Sequence, residues 1–275
     1  MDGVRTNLLR YPGGKQRILR YIKPHLPVRD YIEGRFVEPF VGGGAVFFEL
    51  NPRNALLADI NVELIDLYRG IRRFPHKVWR IFKEFPTSKK AYYRIRSAKL
   101  AERDLASRAA RTLYLNRTCF KGMWRHNANG EFNVGYGGRD RLRVINEECI
   151  FEASKRLRSA ILKCCDFESV INSCLRGDFI FVDPPYRPGE SEITHSHYVF
   201  KQFSYGDHQR LAFTLKKATD RGVDWAMTTS SHPNILRLFE GNKVILLPKG
   251  TGRSPGMLTN NSGEVLIWNY QEVFQ

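Results

Sequence analysis

DFIFVDPPYRPG, residues 178–189, is the stretch that decides the fold class, because a fully apolar run ends there in an acid and two prolines. The residues from Phe179 to Val182 indicate a strand buried on both faces, as in parallel sheets. Asp183 follows at the carboxyl end of that strand, where open α/β sheets bind their ligands. The prolines have fixed φ angles and no N–H group, so they end the strand and keep Tyr186 near the acid. An ordinary strand-ending turn is the alternative interpretation.

Strand and helix patterns alternate on both sides of this stretch. Upstream, GRFVEPFVGGGAVFFEL indicates a strand, a glycine turn and a helix, and NALLADIN indicates a strand that ends at Asp59. Downstream, VDWAMTTSS, KVILLP and GEVLIWNY are further strand candidates, with helical patterns between the first two. This alternation predicts a parallel α/β sheet with helices on both faces.

A basic segment interrupts the alternation. Residues 63–157 hold 22 Lys and Arg against 10 Asp and Glu, which is +12 of the chain's net charge of +16. Residues 75–118 have helical periodicity, and NANGEFNVGYGG carries the turn signals of a β-hairpin. This concentration of charge favours a nucleic-acid-binding domain, although solvated helix faces would give a similar count. We therefore predict a discontinuous domain at 1–62 and 158–275, with a mostly helical domain inserted at 63–157.

Several classes of protein are disfavoured by composition. No apolar stretch is long enough to cross a bilayer, and the first residues lack an apolar signal region, so we expect a cytoplasmic protein without a membrane partner. The five cysteines form no CxxC pair, which argues against a zinc site. His195 and His197 alternate in THSHY without acids spaced as ligands, so no metal is expected.

The glycine turn FVGGGAVF follows a strand and opens a helix, the context that a nucleotide-type ligand needs. Phe47 occupies the place of the third glycine in G-x-G-x-x-G, which disfavours a dinucleotide dehydrogenase. Asp59 could accept hydrogen bonds from both hydroxyls of a ribose, or it could cap the next helix. A nucleoside ligand without a pyrophosphate fits this turn.

Six motifs in a fixed order resemble the Dam-type DNA adenine-N6 methyltransferases, which have a DPPY motif. They are RYPGGK at 10–15, VEPFVGGGAVF at 37–47, LADIN at 57–61, YLNRTCFKGMWRHNANGEFNVGYG at 114–137, DPPY at 183–186 and GEVLIWNY at 263–270. Together they span nearly the whole chain. The resemblance implies a Rossmann-like methyltransferase sheet, an inserted recognition domain with a β-hairpin, S-adenosylmethionine as cofactor and double-stranded DNA as substrate.

The resemblance also implies the residues that bind the cofactor. In the family's terms, Lys15 would neutralise the methionine carboxylate, Asp59 would hold the ribose, and Asp166 with Phe167 would meet the adenine. The implied cofactor-binding residues are Tyr11, Lys15, Phe40, Gly42, Gly44, Asp59, Asp166, Phe167 and Asp183.

The chemistry falls on the DPPY motif. The N6 amino group of adenine is a poor nucleophile, because its lone pair is delocalised into the ring. Two acceptors on its two N–H groups would favour a pyramidal nitrogen, and Asp183 and the carbonyl of Pro184 can supply them. The charge of Asp183 would stabilise the positive charge that develops on N6. Tyr186 would stack on a base flipped out of the duplex.

The stretch NRTCFKGMWRHN, residues 116–127, would read the DNA sequence. In the family its aromatic fills the space left by the flipped adenine and its arginine reads a guanine. These positions fall on Phe120 and Arg125, with Met123 touching a neighbouring base. The family more often has asparagine where Lys121 stands, and Trp124 is also a departure. We expect GATC or a related short site, and the alternative is a hairpin that buries both aromatics in its own domain.

Two other functions remain open from the sequence. Cytosine-N4 enzymes more often carry serine in place of Asp183, and RNA or protein amide enzymes more often carry asparagine, so adenine is favoured. A catalytically silent DNA-binding relative is the second alternative, against which the intact Asp59, Asp183 and Tyr186 argue.

Overall fold

The computed structural model describes residues 8–10, 15–98, 104–127, 130–138, 145–185, 203–250, 258–259 and 263–271. The predicted roles of Tyr11 and Tyr186 therefore lie outside the described residues. The chain divides into two compact units. The first comprises Met1–Gly14, Asn61–Cys164 and His197–Lys201, and the second comprises Lys15–Ile60, Cys165–Ser196 and Gln202–Gln275.

Nine short strands form among the described residues. They are β1 Phe36–Glu38, β2 Ala55–Asp59, β3 Ala160–Cys164, β4 Phe179–Val182, β5 Asp224–Ser230, β6 Lys243–Leu246, β7 Lys249–Gly250, β8 Leu258–Thr259 and β9 Glu264–Trp268. Seven of them make one sheet in the order β3-β2-β1-β4-β5-β9-β6, and β7 pairs with β8 separately. The predicted α/β sheet is thereby confirmed.

The strand alternation predicts a parallel sheet, but the sheet in the structure is mixed. β1 runs parallel to β2 and β4, and β4 runs parallel to β5. β9 lies between β5 and β6 and is antiparallel to both. The physical reason is the connection from β6 to β9, which contains no helix in its described part. Antiparallel neighbours can be joined without the crossover helix that parallel neighbours need.

Ten α-helices form among the described residues. They are α1 Leu19–Ile22, α2 Ala45–Leu50, α3 Val62–Arg73, α4 Pro75–Glu84, α5 Lys89–Ser97, α6 Leu105–Thr118, α7 Glu147–Leu157, α8 Phe167–Asn172, α9 Tyr205–Asp220 and α10 Pro233–Arg237. Polar N-caps begin several of them: Asn61 caps α3, Asp104 caps α6, and Ser204 forms a capping box with Asp207 at α9. In its described residues, the helical region predicted at 75–118 contains the three helices α4, α5 and α6.

The core of the second unit surrounds β4, whose four residues are all buried, as predicted. Ile180 and Val182 pack in one apolar cluster with residues of α8 and α9. Phe179 stacks instead on Phe36 of β1, with ring centroids 6.2 Å apart. Burial of each large apolar side chain contributes about 1.5–3 kcal/mol. The carboxyl end of β4, where Asp183 begins, is therefore held on both sides of the sheet.

Candidate active site

Three carboxylates lie at the carboxyl ends of neighbouring parallel strands in the second unit. Glu38 ends β1, Asp59 ends β2, and Asp183 directly follows β4. Glu38 and Asp59 are only 4% and 9% exposed. Because β2, β1 and β4 are adjacent in the sheet, their carboxyl ends meet at one edge. We call these three residues the acidic edge.

Asp183 is held through one of its two carboxylate oxygens. Its Oδ1 lies 2.9 Å from the Nζ of Lys15 and accepts a hydrogen bond of 2.8 Å from the hydroxyl of Thr228. Lys15 is 3% exposed and Thr228 is fully buried, whereas the Asp183 side chain is 25% exposed. Oδ2 has no partner among the described residues, and neither has the carbonyl of Pro184. Two acceptors at the end of β4 can therefore receive a ligand's donors.

The surroundings of Asp183 oppose one another in their effect on its proton affinity. Burial raises the pKa of Asp183, and the ammonium of Lys15 and the hydroxyl of Thr228 lower it again. The negative charge of Glu264 raises this pKa further. Lys15, which the family resemblance assigned to the methionine carboxylate, here has Asp183 as its counter-charge.

Glu38 is a site residue that the sequence analysis did not select, although it lies in the motif VEPF. Its Oε1 accepts a hydrogen bond from the backbone N–H of Phe47 at 3.3 Å. Its Oε2 is buried and has no partner among the described residues. Burial raises the pKa of Glu38 well above its ordinary value, the Phe47 N–H opposes this, and the charge of Asp183 adds to it. A buried carboxylate oxygen without a donor fits a ligand that brings a positive charge or a donor.

The glycine turn is fastened to Asp59. The backbone N–H of Gly42 donates to the Asp59 Oδ2 at 3.2 Å. Gly42 and Gly44 have φ angles of 45° and 64°, in the left-handed region that side chains with a β-carbon disfavour. The N-cap of α3 is Asn61, so the alternative role of Asp59 as that helix cap is wrong. Asp59 stabilises the glycine turn through this hydrogen bond and remains a candidate for binding the ribose.

Phe40, two residues before Gly42, belongs to a cluster of aromatic side chains. Phe40 stacks on Phe167 with centroids 5.2 Å apart, and Phe203 meets Phe40 edge-on at 5.6 Å. Arg210 lies 4.3 Å above the Phe167 ring and binds both oxygens of Asp166, at 2.9 and 3.0 Å. Asp166, predicted at the adenine, is therefore engaged by an arginine that the sequence analysis did not select. Arg210 and Phe203 belong to no motif, so no sequence signal pointed to them.

The first unit contains the predicted reading stretch. Antiparallel bridges pair Cys119 with Tyr136 and His126 with Phe132, and the backbone N–H of Asn127 donates to the Glu131 carbonyl at 2.9 Å, so these residues form the two arms of a hairpin. Phe120 is 48% exposed, but Trp124 is only 1% exposed. The two aromatics therefore have different roles: Trp124 belongs to the core of its own unit, and Phe120 is available at the surface.

Two further positions of this stretch can be placed. Lys121 has a φ of 53°, in the left-handed region that asparagine tolerates better than most residues with a β-carbon. The Lys121 ammonium lies 5.3 Å from the Phe120 ring. Arg125 donates from Nε to the Oδ1 of Asn133 at 2.8 Å, and Met123 is partly exposed.

Comparison with known proteins identifies the class to which this fold and this site belong. The chain matches the model of the D12 class N6 adenine-specific DNA methyltransferases over residues 11–250. It is 31% identical to the type II methyltransferase M1.LlaDCHI of Lactococcus lactis subsp. cremoris, over 95% of this chain and 94% of that protein. It is also 31% identical to a DNA adenine methylase of Vibrio cholerae, over 86% of this chain and 85% of that protein.

A third relative is longer. The chain is 36% identical to the DNA N-6-adenine-methyltransferase of Escherichia phage P1 over 90% of its own length, and it spans 33% of that protein. The chain belongs to the D12 class of N6 adenine-specific DNA methyltransferases. The resemblance drawn from the six motifs is thereby confirmed.

Two absences apply to the described ranges alone. None of the helices found there is both long and apolar enough to cross a membrane. In the same ranges, no group of three or more His, Cys, Asp or Glu side chains is arranged to hold a metal ion.

Proposed function

We propose that this protein transfers a methyl group from S-adenosylmethionine to the N6 of a flipped adenine in duplex DNA, within GATC or a related short site. The observation that carries the proposal is that Asp183 is bound, within the described residues, through only one of its carboxylate oxygens. Lys15 and Thr228 hold it through Oδ1, which leaves Oδ2 and the carbonyl of the next residue, Pro184, as the two acceptors that we assign to the target amino group. An amino group with two N–H donors is the ligand that such a pair fits.

The acidic edge supports S-adenosylmethionine as the cofactor. When bound, this cofactor supplies a methyl group that its sulfonium charge has already activated. Glu38, with its buried unpaired Oε2, would accept from the ammonium group of the methionine part, and Asp59 would accept from the ribose hydroxyls. Phe40, which is partly exposed and stacks on the buried ring of Phe167, offers an apolar surface for the adenine ring. A cationic nucleoside thus meets acids at one end and aromatics at the other.

Asp183 and Pro184 would act on the target base. The Asp183 Oδ2 and the Pro184 carbonyl each accept one N–H of the adenine amino group, which turns the nitrogen lone pair out of the ring plane. The carboxylate also stabilises the positive charge that develops on N6 as the new bond forms. Thr228 and Lys15 fix the carboxylate before the base arrives, so little reorganisation is needed at the moment of reaction.

A change at Thr228 tests whether Asp183 must be ionised. Thr228→Val removes a hydrogen bond that lowers the Asp183 pKa, so this pKa rises and the acidic limb of the activity profile moves to higher pH. Thr228→Ser keeps the hydroxyl and should leave the limb in place. The measurement is the single-turnover methylation rate as a function of pH at saturating cofactor and DNA. A folded Thr228→Val variant with an unshifted limb would contradict the proposed ionisation.

The first unit would recognise the DNA. The segment predicted as the recognition domain, 63–157 with its charge of +12, lies wholly within the Asn61–Cys164 part of this unit. We propose that Phe120, whose ring is half exposed, enters the space left by the flipped adenine, and that Arg125 reads a guanine. Lys121 and Met123 would contact the neighbouring DNA. An arginine on guanine O6 and N7 contributes about 1–3 kcal/mol of discrimination.

Arg125→Ala and Phe120→Ala should therefore fail in different ways. Arg125→Ala should relax the preference at one guanine by about tenfold while adenine is still methylated. Phe120→Ala should slow base flipping, which the fluorescence of 2-aminopurine at the target position reports. Sequencing of the methylated sites gives the preference of each variant, and Trp124→Phe serves as a control for damage to the core. An Arg125→Ala variant that keeps the wild-type preference would remove Arg125 from recognition.

A further inference from the structure

Asn133 touches Arg125 twice across the hairpin. Its backbone N–H donates to the Arg125 carbonyl at 3.0 Å, and its side-chain Oδ1 accepts from the Arg125 Nε at 2.8 Å. The backbone contact places the two residues opposite one another. The side-chain contact contributes to the direction of the guanidinium, because an N–H donor bonds best along its own axis.

The segment that carries Asn133 is itself fastened to α5. The Arg96 guanidinium donates to the carbonyls of Asn133 and Val134, at 3.3 and 3.0 Å. The hydroxyl of Tyr92 donates to the same Val134 carbonyl at 2.9 Å. Arg96 in turn lies 4.8 Å above the ring of Tyr93. The acceptor that meets Arg125 is therefore attached to a helix rather than carried on a loose turn.

We infer that Asn133 is a positioning residue for site specificity, which holds the Arg125 guanidinium in its reading orientation before DNA binds. This inference rests on the proposed function, in which Arg125 reads a guanine. A guanidinium bonded at Nε presents its NH1 and NH2 groups along the opposite edge, and these two donors form the fork that matches guanine O6 and N7. Fixing the side chain in advance also lowers the entropy cost of binding. Asn133 acts on the base only through Arg125.

The experiment compares three variants of the full chain. Asn133→Ala removes the acceptor, Asn133→Asp keeps an acceptor for Nε, and Asn242→Ala changes an asparagine outside the hairpin, whose side chain donates to the Phe239 carbonyl at 2.8 Å. The readout is the ratio of kcat/KM on the methylated site to kcat/KM on a duplex with that guanine pair replaced. We expect Asn133→Ala to lower this ratio about five- to tenfold, which corresponds to about 1–1.4 kcal/mol, within the usual net contribution of one hydrogen bond. Asn133→Asp and Asn242→Ala should keep the ratio within about twofold of wild type.

The outcomes separate this inference from the function beneath it. If Arg125→Ala relaxes the guanine preference but Asn133→Ala weakens binding to all sequences equally, Asn133 contacts the DNA backbone or merely supports the hairpin, and the inference is wrong. If Arg125→Ala itself leaves the preference unchanged, the proposed reading of guanine fails instead. In the double variant, Asn133→Ala should add nothing to the loss of preference that Arg125→Ala causes. An additive loss would also overturn the inference.

Discussion

Asp183→Asn is expected to reduce methyl transfer by about 10²–10³-fold or more, and Asp183→Ala is expected to abolish it, because both remove the charge that faces the target amino group. The amide of asparagine has the shape of the carboxylate and can still accept from Thr228. It cannot neutralise Lys15 or stabilise the positive charge on N6. The measurement is single-turnover transfer of a labelled methyl group to duplex DNA.

The matched control is Asp224→Asn. Asp224 is the first residue of β5, the neighbour of β4. Thr228 lies in the same strand, four residues further along, so Asp224 is at the end of β5 that points away from Asp183. This variant should keep wild-type turnover. Circular dichroism and thermal unfolding show whether each variant is folded. Near-wild-type turnover by a folded Asp183→Asn protein would show that the carboxylate has no part in the chemistry.

Asp59→Ala is expected to weaken S-adenosylmethionine binding by more than about tenfold, which corresponds to about 1.4 kcal/mol or more. The change removes the proposed ribose acceptor and also the carboxylate that fastens the N–H of Gly42 at 3.2 Å. Asp59→Asn keeps an acceptor for Gly42 and one for a hydroxyl, so its loss should be smaller. Isothermal titration calorimetry with the cofactor gives both affinities.

The two roles of Asp59 can be told apart by the ligand used. S-adenosylmethionine and free methionine share the amino acid part, but only the former has a ribose. A loss confined to S-adenosylmethionine supports the ribose contact. Unchanged affinity in the folded Asp59→Ala variant would leave Asp59 as a brace of the glycine turn alone, and tight binding of NAD by the wild type would overturn the cofactor assignment.

The sequence was sufficient to predict the features of the fold and site that depend on local sequence pattern. The apolar run from Phe179 to Val182 predicts a buried strand, and Asp59 ends its strand and Asp183 follows its own at the predicted places. These are consequences of strand periodicity and of the sheet edge at which parallel strands end. The antiparallel placement of β9 depends instead on a pairing with β5 and β6, which no local pattern records.

The contacts that orient the site's carboxylates could not be predicted from the sequence. Thr228 reaches Asp183 from β5, and Arg210 reaches Asp166 from α9, each more than 40 positions away along the chain. Glu38 lay within a recognised motif, but its unpaired oxygen is a result of packing. The roles of the two hairpin aromatics could not be predicted from the sequence either. Phe120 and Trp124 are four residues apart, and only the exposed fraction of each side chain in the structure distinguishes them.

The most direct test of the central claim is to identify the methylated nucleoside. Wild-type protein would be incubated with unmethylated duplex DNA and S-adenosylmethionine that carries an isotopically labelled methyl group, and the DNA would then be digested for mass spectrometry of its nucleosides. We predict the label in N6-methyldeoxyadenosine with the wild type and at most a trace of it with Asp183→Asn. Label in N4-methyldeoxycytidine, or no labelled nucleoside from a folded wild-type protein that binds the DNA, would contradict the account.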